Sequence, residues 1–479
     1  MNATDPIRQH ARSTPDAPAY ILDDRPTLSY RDFDAVLEGI AQRLLDAGVH
    51  PGQRVALALH RDFAFVAVAL AAARIGAIGF TAYSPDEACD FRIASRGAAP
   101  STLAPTIAVD KQWFLPPDGG ARGAPVAMHP GGSVLFHIFH TSGTTGRPKA
   151  LAMSHDDILR RAERRRSAFA VPHPVRMLAK VRPVASYGFQ VMLRVLFDGG
   201  AVVDAPALEG MAGAIMRHRV TFLVAPPGIL SGMIAVMRPD EGPFPTLHVV
   251  EVSGSRLSEQ LAEVAAQRVC PNIVTMYGST EAGLIAVASA REAGHIPGAV
   301  GRIIPGVVAE IVDDSGTPLP PDTEGALRLR ADSAQTYLHD SGPTDAFRDG
   351  WFYSGDIGRI TRDGFLVIAG RADERINVGG GKVTPEFLEH AALAIPGVID
   401  AAAFAVPSRF AGFDRVAMAI VTGPAFDFAA FQARCREKLG VYAPETVLRM
   451  EAIPRNENGK VKRQDLKDLA AAHAVAAER

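Results

Sequence analysis

Residues 221–277 alternate between short apolar segments and helix-like segments, and this alternation decides the fold class. The apolar segments are TFLVA at 221–225, LHVVEV at 247–252 and NIVTMY at 272–277, with helical patterns running to about 237 and over 258–269. A further strand, helix and strand are predicted at 54–59, 62–75 and 77–82. Strands that alternate with helices form parallel sheets whose faces the helices cover. The sequence therefore predicts an α/β fold.

The pattern changes twice toward the C-terminus. After Gly298, short alternating runs broken by turn residues predict antiparallel strands joined as hairpins. From about 374, a helix, two strands and another helix predict a compact α+β unit. The 479 residues exceed what one hydrophobic core usually supports. We expect a large N-terminal domain at 1–372, with a β subdomain at about 299–372, and a small, mobile C-terminal domain at 373–479.

Charge and cysteine content exclude several classes of function. With 50 Lys and Arg against 52 Asp and Glu, the formal charge of −2 does not favour nucleic acid or an anionic membrane as partner. The one dense basic run, RRAERRR at 160–166, is predicted to be a solvated helix face. Three widely spaced cysteines fit neither a disulfide framework nor a zinc site. With no apolar leader or membrane-spanning run, we expect a cytoplasmic protein.

A loop rich in glycine and hydroxyl groups follows the apolar strand predicted at 133–140. Its glycines allow tight turns that expose backbone N–H groups, and its basic residues add positive charge, so it can hold a polyphosphate. The candidate residues are Thr141, Ser142, Gly143, Thr144, Thr145, Gly146 and Lys149. A flexible linker is a weaker interpretation. A Walker-type NTPase loop would need Gly-Lys-Ser/Thr, whereas Pro148 precedes Lys149 here.

The segment HTSGTTGRPKA at 140–150 resembles the phosphate-loop signature of the adenylate-forming superfamily, which includes acyl-CoA synthetases, aryl-acid ligases, peptide-synthetase adenylation domains and luciferases. Further segments resemble the family's other signatures in the expected order. They are YGSTEAG at 277–283, WFYSGD at 351–356, GRADE at 370–374, INVGGGKV at 376–383 and PRNENGKVKRQDL at 454–466. Each segment alone has an ordinary structural explanation, but the joint match identifies the chain as a member.

The resemblance implies a nucleotide site at 277–281. Tyr277 would stack on adenine beside Gly278, Thr280 would contact the α-phosphate, and Glu281 would bind Mg²⁺. Mg²⁺ prefers oxygen ligands and usually keeps several waters or phosphate oxygens, so one carboxylate is sufficient. Without the resemblance, Glu281 would equally suit a helix N-terminus, where the dipole stabilises a carboxylate.

The remaining signatures imply the ribose contacts and the mobile parts. Asp356 would accept hydrogen bonds from both ribose hydroxyls, with Arg371 completing those contacts. Alone, they would be an ordinary turn carboxylate and a surface ion pair. Asp373 would be the hinge between the domains, and Gly380 would lie in the loop that lines the channel of the thiol acceptor. Lys460 would be catalytic, because its ammonium neutralises charge that develops at the α-phosphate.

These assignments predict an AMP-forming acid–thiol ligase. It would activate a carboxylic acid with Mg·ATP, release pyrophosphate and transfer the acyl group to the thiol of CoA. Loading of the phosphopantetheine of an acyl or peptidyl carrier protein is the alternative. A Walker-type NTPase would form ADP rather than AMP. Glu281 and Lys460 disfavour a regulatory protein that binds nucleotide without turnover. The resemblance is also compatible with a homodimer.

The acid itself is only broadly constrained. PVASYGF at 183–189 places Ser186 or Tyr187 where related enzymes often carry a gating His or aromatic residue. This segment contains no Asp to hold a substrate ammonium, so an amino-acid substrate is disfavoured. We expect the pocket to be formed by 186–193, 224–229 and 253–255, and an aryl or medium-length acyl acid to occupy it.

Overall fold

A computed structural model describes the chain with short gaps. The described residues are 1–22, 26–82, 87–99, 101–116, 130–141, 149–204, 206–296, 298–331, 346–378, 381–407, 414–424, 426–456 and 460–476.

Strands are numbered in chain order. They are β1 (Pro18–Ile21), β2 (Leu28–Ser29), β3 (Arg54–Ala58), β4 (Ile78–Thr81), β5 (Phe91–Ser95), β6 (Thr106–Val109), β7 (Leu135–Thr141), β8 (Lys149–Ser154), β9 (Arg176–Ala179), β10 (Ala201–Val203), β11 (Phe222–Ala225), β12 (Val249–Val252), β13 (Ile273–Ser279), β14 (Gly283–Ser289), β15 (Ala299–Ile303), β16 (Val307–Val312), β17 (Gly325–Ala331), β18 (Phe347–Arg348), β19 (Trp351–Ile360), β20 (Phe365–Arg371), β21 (Ile376–Val378), β22 (Gly381–Val383), β23 (Val398–Pro407), β24 (Asp414–Thr422) and β25 (Thr446–Arg449).

Helices are numbered in the same way. They are α1 (Asp5–Ser13), α2 (Tyr30–Asp46), α3 (Asp62–Arg74), α4 (His155–Ala168), α5 (Ser186–Phe197), α6 (Leu208–Arg217), α7 (Pro227–Val236), α8 (Glu259–Arg268), α9 (Ala290–Gly294), α10 (Pro385–Leu393), α11 (Phe428–Leu439) and α12 (Arg463–Ala476), with short 3₁₀ turns at Lys111–Phe114 and Gly440–Tyr442.

The larger sheet joins the predicted parallel and antiparallel regions. Among the described residues it has 14 strands in the order β16-β17-β19-β20-β15-β14-β13-β12-β11-β9-β10-β1-β2, with β18 beside β19. Neighbours from β1 through β10, β9, β11 and β12 to β13 are parallel, whereas β13 to β14 and the following pairs are antiparallel. The strands expected to form a β subdomain thus continue the main sheet.

A second sheet has the order β6-β5-β3-β4-β7-β8 and is parallel except for the β7–β8 hairpin. The largest hydrophobic core lies between the two sheets and contains side chains of α1 to α5. A second core lies under α6, α7 and α8 on the other face of the larger sheet. Helices therefore cover parallel strands on both faces, as a continuous apolar strand such as FLVA at 222–225 requires.

The C-terminal region has its own cores. The β23-β24-β25 sheet packs against α10 and α11 on one side and against α12 on the other. The α/β class, the large sheet-containing part and the smaller C-terminal part are confirmed. The exact domain boundary at 372/373 stays a prediction. In the described residues, no helix is long and apolar enough to cross a membrane.

Candidate active site

Side chains from β13, β19 and β20 bring three of the predicted nucleotide residues together, although β14 and β15 lie between β13 and β20 in the sheet. The hydroxyl of Tyr277 donates a hydrogen bond to Asp356 Oδ2. Asp356 and Arg371 are directly opposite each other on β19 and β20, with Arg371 Nη1 3.7 Å from Asp356 Oδ1. We call Tyr277, Asp356 and Arg371 the outer triad. The structure brings together residues that lie far apart in the sequence.

Arg371 is fixed by several acceptors. Its Nη1 donates to the carbonyl of Ser354 at 2.8 Å, and its Nε lies 3.0 Å from Asp373 Oδ1. Burial opposes the charge on Arg371, but the hydrogen bond with Asp373 and the attraction of Asp356 outweigh it and raise the pKa of the guanidinium. The expected hinge residue is thus tied to the expected ribose-binding residue.

The turn before Asp356 suits this close approach. Gly355 has φ of +78°, and a Cβ at this position would lie 2.9 Å from Arg371 Nη2. Any larger residue would displace the guanidinium. The hydroxyl of Ser354 accepts a hydrogen bond from the Asp356 N–H at 3.1 Å. This hydroxyl therefore helps to orient Asp356.

Thr280 and Glu281 lie in the tight turn between β13 and β14. This position rules out the alternative that Glu281 occupies a helix N-terminus. At Gly278 a Cβ would lie 2.4 Å from the carbonyl oxygen of Gly283, so the hairpin requires glycine there. Only 8% of Glu281 is exposed. The turn is therefore narrow and held closely by its surroundings.

The guanidinium of Arg161 on α4 holds this turn through hydrogen bonds to its backbone carbonyls. Its Nη1 donates to the Thr280 carbonyl at 2.7 Å and its Nη2 to the Glu281 carbonyl at 2.6 Å. Burial, and then the charge of Arg164, lowers the pKa of Arg161 to about 9. Both carbonyls are thereby fixed in position by one planar guanidinium.

The predicted solvated face at 160–166 is therefore wrong in part. Arg161 is 4% exposed and Arg165 is 6% exposed, whereas Arg160 and Arg166 do reach solvent. Charge density in the sequence could not reveal this, because the inward residues are spaced four apart on a helix whose apolar residues are few. Their acceptors lie 86 or more residues away.

A second polar group lies one helical turn further along α4. Arg165 pairs with Glu251 of β12, and the Tyr187 hydroxyl of α5 donates to the same Glu251 oxygen, Oε1. The Arg165 guanidinium also lies 5.2 Å from the centre of the Tyr187 ring. We call Arg165, Glu251 and Tyr187 the inner triad. Glu251 was missed from the sequence, although a single acid within the apolar LHVVEV strand is an available signal.

The predicted phosphate loop connects two antiparallel strands. Thr141 at the end of β7 pairs with Lys149 at the start of β8. A Walker-type loop leads instead into a helix, so that alternative is wrong. Ser142, Gly143, Thr144, Thr145 and Gly146 lie outside the described residues, and only the backbone of Thr141 is described.

The predicted catalytic lysine lies on the C-terminal part of the chain. The N–H of Lys460 donates to Asn456 Oδ1 at 3.0 Å and its carbonyl accepts from the Asn456 N–H at 2.8 Å. Within the described ranges, the exposed Lys460 ammonium has no hydrogen bond or ion pair with the outer triad. Gly380 lies outside the described residues.

Glu281 is the acidic residue of the turn that could bind a metal ion. Over the described parts of the chain, no group of three or more His, Cys, Asp or Glu side chains could hold an ion. Glu281 alone fits Mg²⁺ that keeps phosphate and water oxygens as its other ligands. The donor set therefore suits a metal–nucleotide complex better than a site made only of protein ligands.

Comparison with known proteins identifies the family. The model of the AMP-binding enzyme family matches residues 7–338, more than half of the chain, and the model of the AMP-binding enzyme C-terminal domain matches 388–460. The chain belongs to the AMP-binding enzyme family. It is an enzyme of the AMP-forming acid–thiol ligase type, and its relatives support acid adenylation followed by transfer to CoA.

Individual relatives cover nearly the whole chain. A 3-hydroxybenzoate/4-hydroxybenzoate–CoA ligase of Thauera aromatica is 26% identical over 98% of this chain and 97% of its own. The long-chain-fatty-acid–CoA ligase FadD13 of Mycobacterium tuberculosis is 26% identical, with 96% and 97% covered. ATP-bound MatB from Rhodopseudomonas palustris has the same fold, with a TM-score of 0.83, 24% identity and 98% and 99% coverage.

Proposed function

We propose that this AMP-binding enzyme activates an aryl or medium-chain acyl acid as its acyl-adenylate and transfers the acyl group to the thiol of CoA. The outer triad beside the turn held by Arg161 is the observation that carries the proposal. Asp356 and Arg371 can hydrogen-bond to the ribose of ATP, and Glu281 in the neighbouring turn can bind its Mg²⁺.

Each residue has a chemical task in this proposal. Asp356 and Arg371 hold the ribose, and Tyr277, whose hydroxyl is already committed to Asp356, presents its ring to adenine. Thr280 contacts the α-phosphate, and the Thr141–Lys149 loop holds the phosphates that leave. Glu281 would hold Mg²⁺, which when bound neutralises phosphate charge.

Lys460 is the proposed catalytic cation. Its exposed position on the C-terminal part is compatible with delivery to the α-phosphate when that part moves about Asp373. An ammonium placed where charge develops lowers the barrier to attack by the carboxylate. Rotation would then present the loop that contains Gly380 to the thiol.

Acid-dependent exchange of pyrophosphate into ATP tests the adenylation step. Lys460→Ala should reduce exchange about 100-fold or more, because a charge-stabilising group of the transition state is removed. Lys462→Ala, two residues away, is the matched control and should retain exchange. Formation of ADP instead of AMP, or full exchange by Lys460→Ala, would contradict the proposal.

CoA is the favoured acceptor because the relatives that match nearly the whole chain over nearly their own whole length include CoA ligases. Product formation with CoA, compared with a phosphopantetheine-bearing carrier protein at equal concentration, tests this choice. Acyl-CoA should form, and loading of the carrier alone would reverse the assignment.

A further inference from the structure

Arg463, the first residue of α12, contacts three glutamates of the C-terminal region at once. Its Nη1 lies 2.8 Å from Glu374 Oε2, and its Nη2 lies 2.8 Å from Glu389 Oε1 and 3.8 Å from Glu386 Oε1. We call these four residues the Arg463 cluster. A planar guanidinium can direct several N–H groups to different acceptors, whereas the ammonium of a lysine is a compact point charge. The cluster therefore depends on arginine at this position.

The surroundings of Arg463 fix its side chain. The side chain is 18% exposed, and its Nε donates a further hydrogen bond to the carbonyl of Ala403 at 3.1 Å. Burial opposes the charge on Arg463, but the attraction of Glu389, Glu374 and Glu386 outweighs it and raises the pKa of the guanidinium. A charge held by several partners away from solvent exchanges them much less readily than a surface ion pair does.

Lys460 lies three residues before Arg463, in a loop that is held on both sides. At the base of the loop, Arg455 and Val461 form an isolated antiparallel bridge. Before Lys460, Arg455 Nη2 donates to the two carboxylate oxygens of Asp400 on β23, at 2.8 and 2.9 Å. After Lys460, Arg463 binds its cluster. The position of the Lys460 loop is therefore set by two arginines that flank it.

The attachment through Arg463 reaches the predicted hinge. Glu374 follows Asp373 directly, and Asp373 accepts hydrogen bonds from Arg371 Nε at 3.0 Å and Nη2 at 3.1 Å. A contiguous series of contacts therefore runs from the outer triad through Asp373 and Glu374 to Arg463 and the Lys460 loop. Packed networks of this kind can carry energetic coupling between sites, and a measurement of coupling has to demonstrate it.

We propose that Arg463 is a positioning residue for adenylation, which binds Glu374 and thereby fixes the Lys460 loop to the hinge. This inference rests on the proposed function, because Arg463 has this task only if Lys460 stabilises charge at the α-phosphate. Arg463 itself contacts neither the nucleotide nor the acid. Catalytic groups have to be held within about 0.5 Å of their productive geometry, so a loop released at one end lowers the rate although Lys460 is still present.

The two half-reactions distinguish positioning from a purely structural role. In the proposed function Lys460 acts in adenylate formation, whereas transfer to CoA uses the loop that contains Gly380. Release of the Lys460 loop should therefore slow adenylation and spare transfer. General destabilisation of the C-terminal part should slow both half-reactions, because both use that part of the chain.

The experiment measures the half-reactions separately in the full chain. Pyrophosphate exchange with the acid that supports it best reports adenylation, and formation of acyl-CoA from the synthetic acyl-adenylate of that acid reports transfer. Arg463→Lys keeps a cation among the three glutamates but loses the planar fork. We expect kcat for exchange to fall about 10–100-fold. KM for ATP should stay within about twofold and the transfer rate within about threefold, because the nucleotide contacts are retained.

A second variant tests the contact from its other side. Glu374→Gln removes the charge of the hinge partner and should give the same difference between the half-reactions. The double variant should be no slower than the slower single variant, because both changes remove one shared interaction. Arg415→Gln is the matched control. Arg415 pairs with Glu445 at 3.2 Å on the surface of the same part, and its replacement should change neither half-reaction.

The outcomes separate this inference from the proposed function. If Lys460→Ala keeps full exchange, the proposed function fails and the inference fails with it. If Lys460→Ala loses exchange but Arg463→Lys and Glu374→Gln keep it, the proposed function stands and the inference is overturned. Equal losses in both half-reactions, or additive losses in the double variant, also overturn it. Should Arg463→Lys not fold, Glu374→Gln supplies the same comparison, since the Glu374 side chain is 31% exposed.

Discussion

The outer and inner triads each combine an arginine, a carboxylate and a tyrosine, yet they differ in access. In the outer triad the side chains of Asp356 and Arg371 are 15% and 30% exposed. In the inner triad the side chains of Glu251 and Arg165 are 0% and 7% exposed. An accessible group can exchange its partners for a ligand, whereas a buried ion pair must stay paired. We therefore assign nucleotide binding to the outer triad and orientation of one tyrosine to the inner triad.

Breaking the inner ion pair should have the largest effect on folding. Glu251→Ala leaves the Arg165 guanidinium buried without its partner and should lower the free energy of unfolding by about 3–5 kcal/mol. Urea denaturation followed by circular dichroism measures this loss. The Glu251→Leu, Arg165→Leu double variant should recover most of it. A loss below about 1 kcal/mol is typical of a surface ion pair, and it would contradict the view that the inner triad is held together by a buried one.

Removing the outer carboxylate should affect activity more than folding. Asp356→Ala deprives Tyr277 of its acceptor and Arg371 of its ion-pair partner, and it should lower kcat/KM for ATP roughly 100-fold, or about 2.7 kcal/mol. Most of the effect should be in KM for ATP, measured by exchange at varied ATP. Asp363→Ala, an exposed turn carboxylate after β19, is the control. Equal losses in both variants would contradict a ribose-binding role.

Arg161 lies one helical turn before Arg165 and holds the turn at Thr280 and Glu281, so its replacement should have an intermediate effect. Arg161→Lys keeps the charge but cannot donate to the carbonyls of Thr280 and Glu281 with the same planar fork. We expect about a tenfold decrease in kcat/KM together with a higher Mg²⁺ concentration for half-maximal exchange. Arg160→Lys, on the exposed side of α4, should change neither quantity. An unchanged Mg²⁺ dependence in Arg161→Lys would show that Arg161 does not position Glu281 for Mg²⁺ binding.

The smallest expected effect concerns the carboxylate of Glu386, which lies beside Gly370, the residue before Arg371. A Cβ on Gly370 would lie 2.3 Å from Glu386 Oε2. Burial, and then the charge of Glu389, raises the pKa of Glu386 from 4.5 to about 7. The folded state therefore binds the proton more tightly than the unfolded state. The resulting stability is fully present below the unfolded pKa and is lost as the pH rises through the folded value.

Glu386→Gln should remove this pH dependence. The free energy of unfolding of the wild type should fall by on the order of 1–2 kcal/mol between about pH 4.5 and pH 7 from this group, and the variant should lack that fall. Urea unfolding across this range measures the difference, with the exposed Glu437→Gln as control. Parallel curves for wild type and Glu386→Gln would show that Glu386 does not carry the proton.

The sequence predicted the fold where local periodicity determines structure. The strands expected at 54–59 and 221–225 are observed at Arg54–Ala58 and Phe222–Ala225, and the helix expected at 62–75 is Asp62–Arg74. Apolar runs of these lengths are buried on both faces, so few other structures suit them. The continuation of the antiparallel strands from β13 into the main sheet was not predictable, because strand pairing depends on partners distant in sequence.

What the sequence alone determined is the α/β class and, through its ordered signatures, the family and the candidate nucleotide residues. Only the tertiary structure placed Tyr277, Asp356 and Arg371 in contact and turned two arginines of the 160–166 run inward. The physical reason is that residue type and spacing define which hydrogen bonds a side chain can make. Whether it makes them with water, a ligand or a distant carbonyl depends on burial, which the packing of whole sheets and helices decides.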